Sequence, residues 1–161
     1  MKLRSTALTL ALLAVAPLAS AGTATDSFQV SITIENSCSI VANDLDFGTQ
    51  NTLASDIDAQ TSIDVTCTGI SPLVVSLDDG AGAGATAAAR KLTNGASTIN
   101  YVLAQDAARL QVLGTGTGAT TITALASGGT DTFPIYGRVL GSQNPKIIGQ
   151  YLDTVTATVS F

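Results

Sequence analysis

The chain has 161 residues, 45% of them hydrophobic and 12% charged, with a formal net charge of −5 and no histidine. That composition is too apolar for a disordered polyelectrolyte, and its acidic balance argues against nucleic acid and anionic membrane as partners. Lack of histidine removes the usual base of a hydrolytic triad and the commonest metal ligand.

Taken in order, the chain opens with Lys2 and Arg4, then the apolar run Ala7 to Leu18, then Ala19-Ser20-Ala21. A basic stretch, an apolar stretch and an A-x-A site make a secretory signal, expected over residues 1–21. The apolar run is too short to span a bilayer. Cleavage after Ala21 leaves 140 of the 161 residues and, with Lys2 and Arg4 gone, takes the net charge from −5 to −7. Both cysteines, Cys38 and Cys67, lie in the exported part. In an oxidising compartment an isolated pair is expected to form one disulfide.

Thr25 to Glu35 alternates Phe28, Val30, Ile32 and Ile34 with polar residues, the period of a strand with one buried face. Short strands are expected at Leu45 to Gly48, Ile63 to Cys67 and Pro72 to Leu77, with residues 51–60 as a polar loop. The small-residue tract Gly80 to Ala89 has little to bury and reads as a loop. Arg90 to Thr93 and Ile99 to Leu103 flank the turn signal Asn94-Gly95. Thr120 to Thr123 and Phe133 to Val139 follow, and Ala104 to Leu113 reads as at most a turn. The last stretch, Tyr151 to Phe161, sets Val155, Ala157, Val159 and Phe161 against Thr154, Thr156, Thr158 and Ser160. No strand follows it, so its far side is expected to be covered by an earlier segment or by another molecule. Many short strands with Gly and Pro between them predict a β-sandwich.

Little in the sequence points to catalysis. Asp56/Asp58 and Asp78/Asp79 are carboxylate pairs, but neither sits in a full calcium-loop pattern, so they read as solvated loop acids. Gly80-x-Gly82-x-Gly84 and Gly114-x-Gly116-x-Gly118 share only glycine content with phosphate loops. Arg90 with Lys91 reads as a basic strand end. No catalytic, cofactor-binding or metal site is expected, and no enzyme activity.

Cys38 with Leu45-Asp46-Phe47-Gly48, Ile63-x-Val65-x-Cys67, Arg90-x-Leu92 and Tyr101 with Asp106-Ala107-Ala108 form a recurring set. Together with Pro134-Ile135-Tyr136-Gly137-Arg138 and Gly149-x-Tyr151-x-Asp153-Thr154-Val155-x-Ala157-x-Val159-x-Phe161, it resembles the spore coat protein U domain. That family includes the Csu-type, or archaic, pilins of the chaperone–usher pathway. The resemblance implies an all-β fold: an incomplete immunoglobulin-like β-sandwich that lacks its final strand and carries an N-terminal donor strand. It implies the division 22–32 for the donor extension and 33–161 for the sandwich domain. Phe28, Val30 and Ile32 would be donor residues, and Val155, Ala157, Val159 and Phe161 would flank the acceptor groove and meet the chaperone. The implied partners are a periplasmic pilus chaperone, an outer-membrane usher and other pilin subunits.

The function expected from this resemblance is a structural pilin subunit of a surface fibre, exported through the periplasm and serving adhesion and biofilm formation. Two other readings stand beside it: a secreted, monomeric coat-type sandwich, and an adhesin that binds a receptor or a surface. Gly22 to Ser37 offers 16 residues for both a donor strand and the chain's own first strand.

Overall fold

The structure is a computed structural model that describes residues 21–115 and 118–161. The expected signal segment up to residue 20, and Gly116 of the second glycine loop, lie outside the described residues.

From residue 34 onward the chain builds two sheets. β1 (Cys38–Ala42), β2 (Ile57–Cys67), β7 (Thr130–Val139), β5 (Ser97–Ala104) and β4 (Arg90–Asn94) lie in that spatial order in the larger one. β6 (Ile122–Leu125), β3 (Pro72–Leu77) and β8 (Ala157–Ser160) make the smaller one, with β8 at its edge. All ladders between these strands are antiparallel. Among the described residues there is no helix. This is an immunoglobulin-like sandwich, as the sequence leads one to expect.

The period-2 pattern sets its core. Ile63, Val65 and Cys67 of β2, Leu73, Val75 and Leu77 of β3, and Ile99, Tyr101 and Leu103 of β5 are all buried. Successive strand side chains point to opposite faces, so one alternating run delivers its apolar half to the space between the sheets. The β4–β5 hairpin turns through Gly95, whose φ of +58° suits glycine, with Asn94 opposite Ser97. Pro134 sits in β7 opposite Ser62, but β5 reaches only as far along β7 as Tyr136. The proline therefore takes the place of no ladder donor on that side.

Four readings change. β2 begins at Ile57, inside the stretch expected to be loop, because Ile57 and Ala59 continue its inward parity behind the polar Asp58 and Gln60. Leu45 to Gly48 forms no strand; Leu45 and Phe47 instead cross over Gly137, where a Cβ would lie 2.9 Å from each side chain. The last strand is four residues long, since the chain first pairs Leu152 with Thr93 of the larger sheet before joining β3. Finally, residues 25–35 pair with no strand, and the chain's first ladder starts at Cys38.

Residues 21–33 form a separate unit of extended chain. Phe28, Val30 and Ile32 there are 83–87% exposed, and Ile34 just beyond is equally so.

Candidate functional site

The feature that stands out in the sandwich is an apolar cleft of about 1190 Å³ beside the last strand. Its floor is core: Leu77, Tyr101, Leu103, Ile135 and Val139 all line it. One wall is the final segment, with Val155 and Ala157, and the opposite wall is the stretch 42–53, including Leu45 and Phe47. Because residues 43–53 leave β1 without joining either sheet, they stand across the cleft rather than closing it. β8 pairs with β3 on one side, and among the described residues no strand pairs with its other edge. The cleft thus sets the unpaired edge of β8 beside core side chains that are themselves only 2–7% exposed.

Val155, Ala157 and Val159 are half-buried against the core cluster, with Thr156, Thr158 and Ser160 turned to solvent. Phe161 is 56% exposed and lies one residue past β8. Cys38 and Cys67 are bonded to each other and directly opposed in the β1–β2 ladder.

Two polar anchors hold the start of the last strand, and one of them, Asp78, is thereby not the solvated loop acid that the sequence suggests. Asp153 accepts hydrogen bonds from the Tyr101 hydroxyl at 2.7 Å and from the Ala81 N–H at 2.8 Å. Burial, reinforced by the bond to Asp153, pushes the Tyr101 phenol well above its ordinary range, so it remains a donor. Asp78 Oδ1 accepts from the N–H of Thr156 at 2.9 Å and of Gly80 at 3.0 Å. Burial works to raise the Asp78 carboxyl, but the bonds from Thr156 and Gly80 and the charge of Arg90 outweigh it, and its pKa is lowered.

Arg90 is fully buried and has no carboxylate bonded to it. Its guanidinium donates to the backbone carbonyls of Asp78, Ala87 and Leu113, with four bonds of 2.6–3.0 Å. Burial lowers its pKa, opposed by Tyr101 and by the carboxylates of Asp79, Asp78 and Asp153. Arginine keeps its charge under such conditions, and its planar fork of donors suits several carbonyls at once. Arg90 therefore ties the loop after β3 to the loop before β6. An Arg followed by an alternating strand was the only sequence signal, and it reads equally well as a surface residue.

The acidic pairs are structural. Asp58 faces Arg138 across the β2–β7 ladder in a two-pronged ion pair of 2.7 and 2.9 Å, with Arg109 at 3.3 Å. Asp56 accepts from the Gly141 N–H. Among the described residues no group of three His, Cys, Asp or Glu side chains is placed to hold a metal ion.

Comparison with known proteins bears on this arrangement. The crystal structure of the CsuC–CsuE chaperone–tip adhesion subunit pre-assembly complex from archaic chaperone–usher Csu pili of Acinetobacter baumannii matches with a TM-score of 0.59. The two are 21% identical, and the match covers 80% of this chain but only 40% of the other. The P pilus rod subunit PapA matches with a TM-score of 0.52 and 15% identity, covering 76% of this chain and 97% of PapA. At such identities the likeness is one of fold. No curated protein sequence matches the chain. The model of the Spore Coat Protein U domain matches residues 24–158. The chain thus belongs to the Spore Coat Protein U domain family.

Proposed function

We propose that the protein is a structural subunit of a chaperone–usher surface fibre that polymerises by donor-strand complementation. One observation carries this reading: the cleft lacks a strand while the N-terminal segment presents a strand's worth of unburied side chains. Phe28, Val30 and Ile32 alternate along an extended segment and are more than four-fifths exposed. The cleft offers an unpaired β8 edge above an apolar floor. Laid into the cleft of a neighbouring copy, the segment would give main-chain bonds to β8 and side chains to the core. Burying three such side chains contributes about 5–9 kcal/mol, an upper figure because the free segment already buries some surface. The contact is head-to-tail and does not close on itself, so repetition gives a fibre.

On this reading Val155 and Ala157 flank the acceptor cleft, while Val159 and Phe161 continue the chain beyond the residues that line it. An unpaired strand edge aggregates unless capped, so the subunit needs a periplasmic chaperone before an outer-membrane usher passes it to the cell surface. The role is structural rather than catalytic, and attachment and biofilm formation are the fibre's expected uses. The two matched structures, a chaperone–subunit complex and a pilus rod subunit, fit these partners.

The test is removal of residues 22–29 with the chaperone co-expressed. The truncated subunit should still be recovered with the chaperone, yet appear only at chain ends when mixed with full-length protein. Long fibres built from truncated subunits alone would refute the reading, and a monodisperse full-length protein without chaperone would favour the monomeric coat-type alternative.

A further inference from the structure

The sandwich exposes large apolar side chains at both of its ends. At one end lie Ile70, 72% exposed, and Leu125, 65% exposed. They belong together: Leu125 opposes Pro72 in the β3–β6 ladder, and the Ala126 N–H donates to the Ser71 carbonyl. This is also the disulfide end, since Thr68 donates from its backbone to Ser37 next to Cys38. At the other end lie Ile147, 63% exposed, and Ile148, 99% exposed. Their loop is pinned beside the β4–β5 turn, where the Tyr151 hydroxyl bridges Ser97 Oγ and the Ile147 carbonyl at 2.8 Å each. Both isoleucines border the cleft.

The root of the N-terminal segment is fixed. Asn36 donates to Ser71 Oγ at 2.6 Å and accepts from the Gly69 N–H at 3.0 Å, and the Ser37 N–H donates to Thr68 Oγ1. Only Glu35 separates the exposed Ile34 from this anchored root. The segment therefore leaves the sandwich at the disulfide end, beside Ile70, on a tether of about 10 Å for three extended residues.

β8 runs from the Asn94 end toward the disulfide end, with Ala157 opposite Leu77 and Ser160 opposite Val74. A donor added antiparallel to β8, the sense of every other ladder between strands here, has its C-terminal residues at the Asn94 end of the acceptor. The short tether then brings the donor subunit's disulfide end against the acceptor's Ile147–Ile148 loop. We propose that Ile70 and Leu125 of one copy pack on Ile147 and Ile148 of the next, a second head-to-tail contact that sets how consecutive subunits are oriented. It rests on the donor-strand reading and adds to it the Ile70–Leu125 surface, which lies away from the cleft, packed on the cleft's Ile147–Ile148 border.

Cysteine cross-linking tests it, with the native Cys38–Cys67 bond left in place. Subunits carrying Ile70→Cys and Ile148→Cys are mixed, allowed to polymerise and treated with a short bismaleimide. A cross-linked dimer is expected from the mixture and from neither variant alone, and it should vanish when both variants lack residues 22–29. Polymers that form but give no cross-link, or an Ile70→Cys variant that cross-links to itself, would overturn this contact and leave donor-strand exchange standing. Polymers that survive removal of residues 22–29 would overturn the donor-strand reading, and this contact with it.

Discussion

The Tyr101 hydroxyl and the Asp153 carboxylate, 2.7 Å apart, tie the centre of the larger sheet to the segment that leads into the last strand. Tyr101 is buried and its ring meets Phe47 edge-on at 6.2 Å, so the hydroxyl is held where Asp153 needs it. Tyr101→Phe keeps the ring and removes the donor. A hydrogen bond to a charged group contributes about 1.5–3 kcal/mol, and the variant should lose an amount in that range in urea unfolding. An unchanged midpoint would show that Ala81 and Thr154, the other donors to Asp153, suffice.

Arg90 should prove less replaceable than any surface cation. Arg90→Ala strands three buried carbonyls and should cost more than about 3 kcal/mol, enough to abolish recovery of the subunit. Arg90→Lys keeps the charge but has neither the reach nor the planar fork for four bonds, so it should fall between the two in thermal midpoint. Equal stability of the Lys variant and the parent would mean that charge, not geometry, matters here.

Acid should loosen the last strand before it unfolds the rest. The folded pKa of Asp78 lies below its unfolded value, so its contribution is complete above the unfolded value of 3.8 and is lost as pH falls through the folded one. Asp78→Asn removes this dependence while keeping the shape. The stability gap between parent and variant should be constant near neutrality and shrink below about pH 4. A gap that widens on acidification would assign the effect to another group.

Val30→Asp and Val159→Asp separate the two sides of the donor contact. Val30 is 83% exposed in the subunit, so a charge there should leave its folding and chaperone binding intact and stop its insertion into a neighbour. Val159 packs on the core, so Val159→Asp should already reduce recovery of the subunit with its chaperone. Phe161→Asp, at an exposed position, should be milder than Val159→Asp in that assay. Loss of the Val30→Asp subunit at the chaperone stage would mean that Val30 supports the subunit's own fold.

The sandwich was readable because burial here follows strand parity. Ile63-x-Val65-x-Cys67 and Leu73-x-Val75-x-Leu77 announce their inward faces, and the Asn94-Gly95 turn fixes a hairpin. Parity failed where the apolar face of an alternating run meets no partner. Phe28 to Ile34 has the pattern of a strand, but a ladder needs a second strand, and among the described residues none pairs with it. The early part of β2 was obscured by Asp56 just before it and by its outward Asp58, which read as loop until Arg138 is seen across the ladder. Arg90 was opaque for a different reason: its partners are three backbone carbonyls from two loops, and such acceptors leave no trace in residue type.

The position of the disulfide has a mechanical consequence. A pull on the N-terminal segment enters the sandwich at Ser37 and meets β1 at its first residue, Cys38. β1 is an edge strand, and a force applied at one end of such a strand opens its rungs one at a time, the weakest loading geometry. Here the first rung is covalent, because Cys38 is bonded to the residue opposite it. Tension is thereby shunted past the whole β1 ladder into β2, which β7 flanks along ten paired positions from Ile57 to Thr66. The segment is thus moored to a strand that has neighbours on both sides, although it is attached at the sheet's edge.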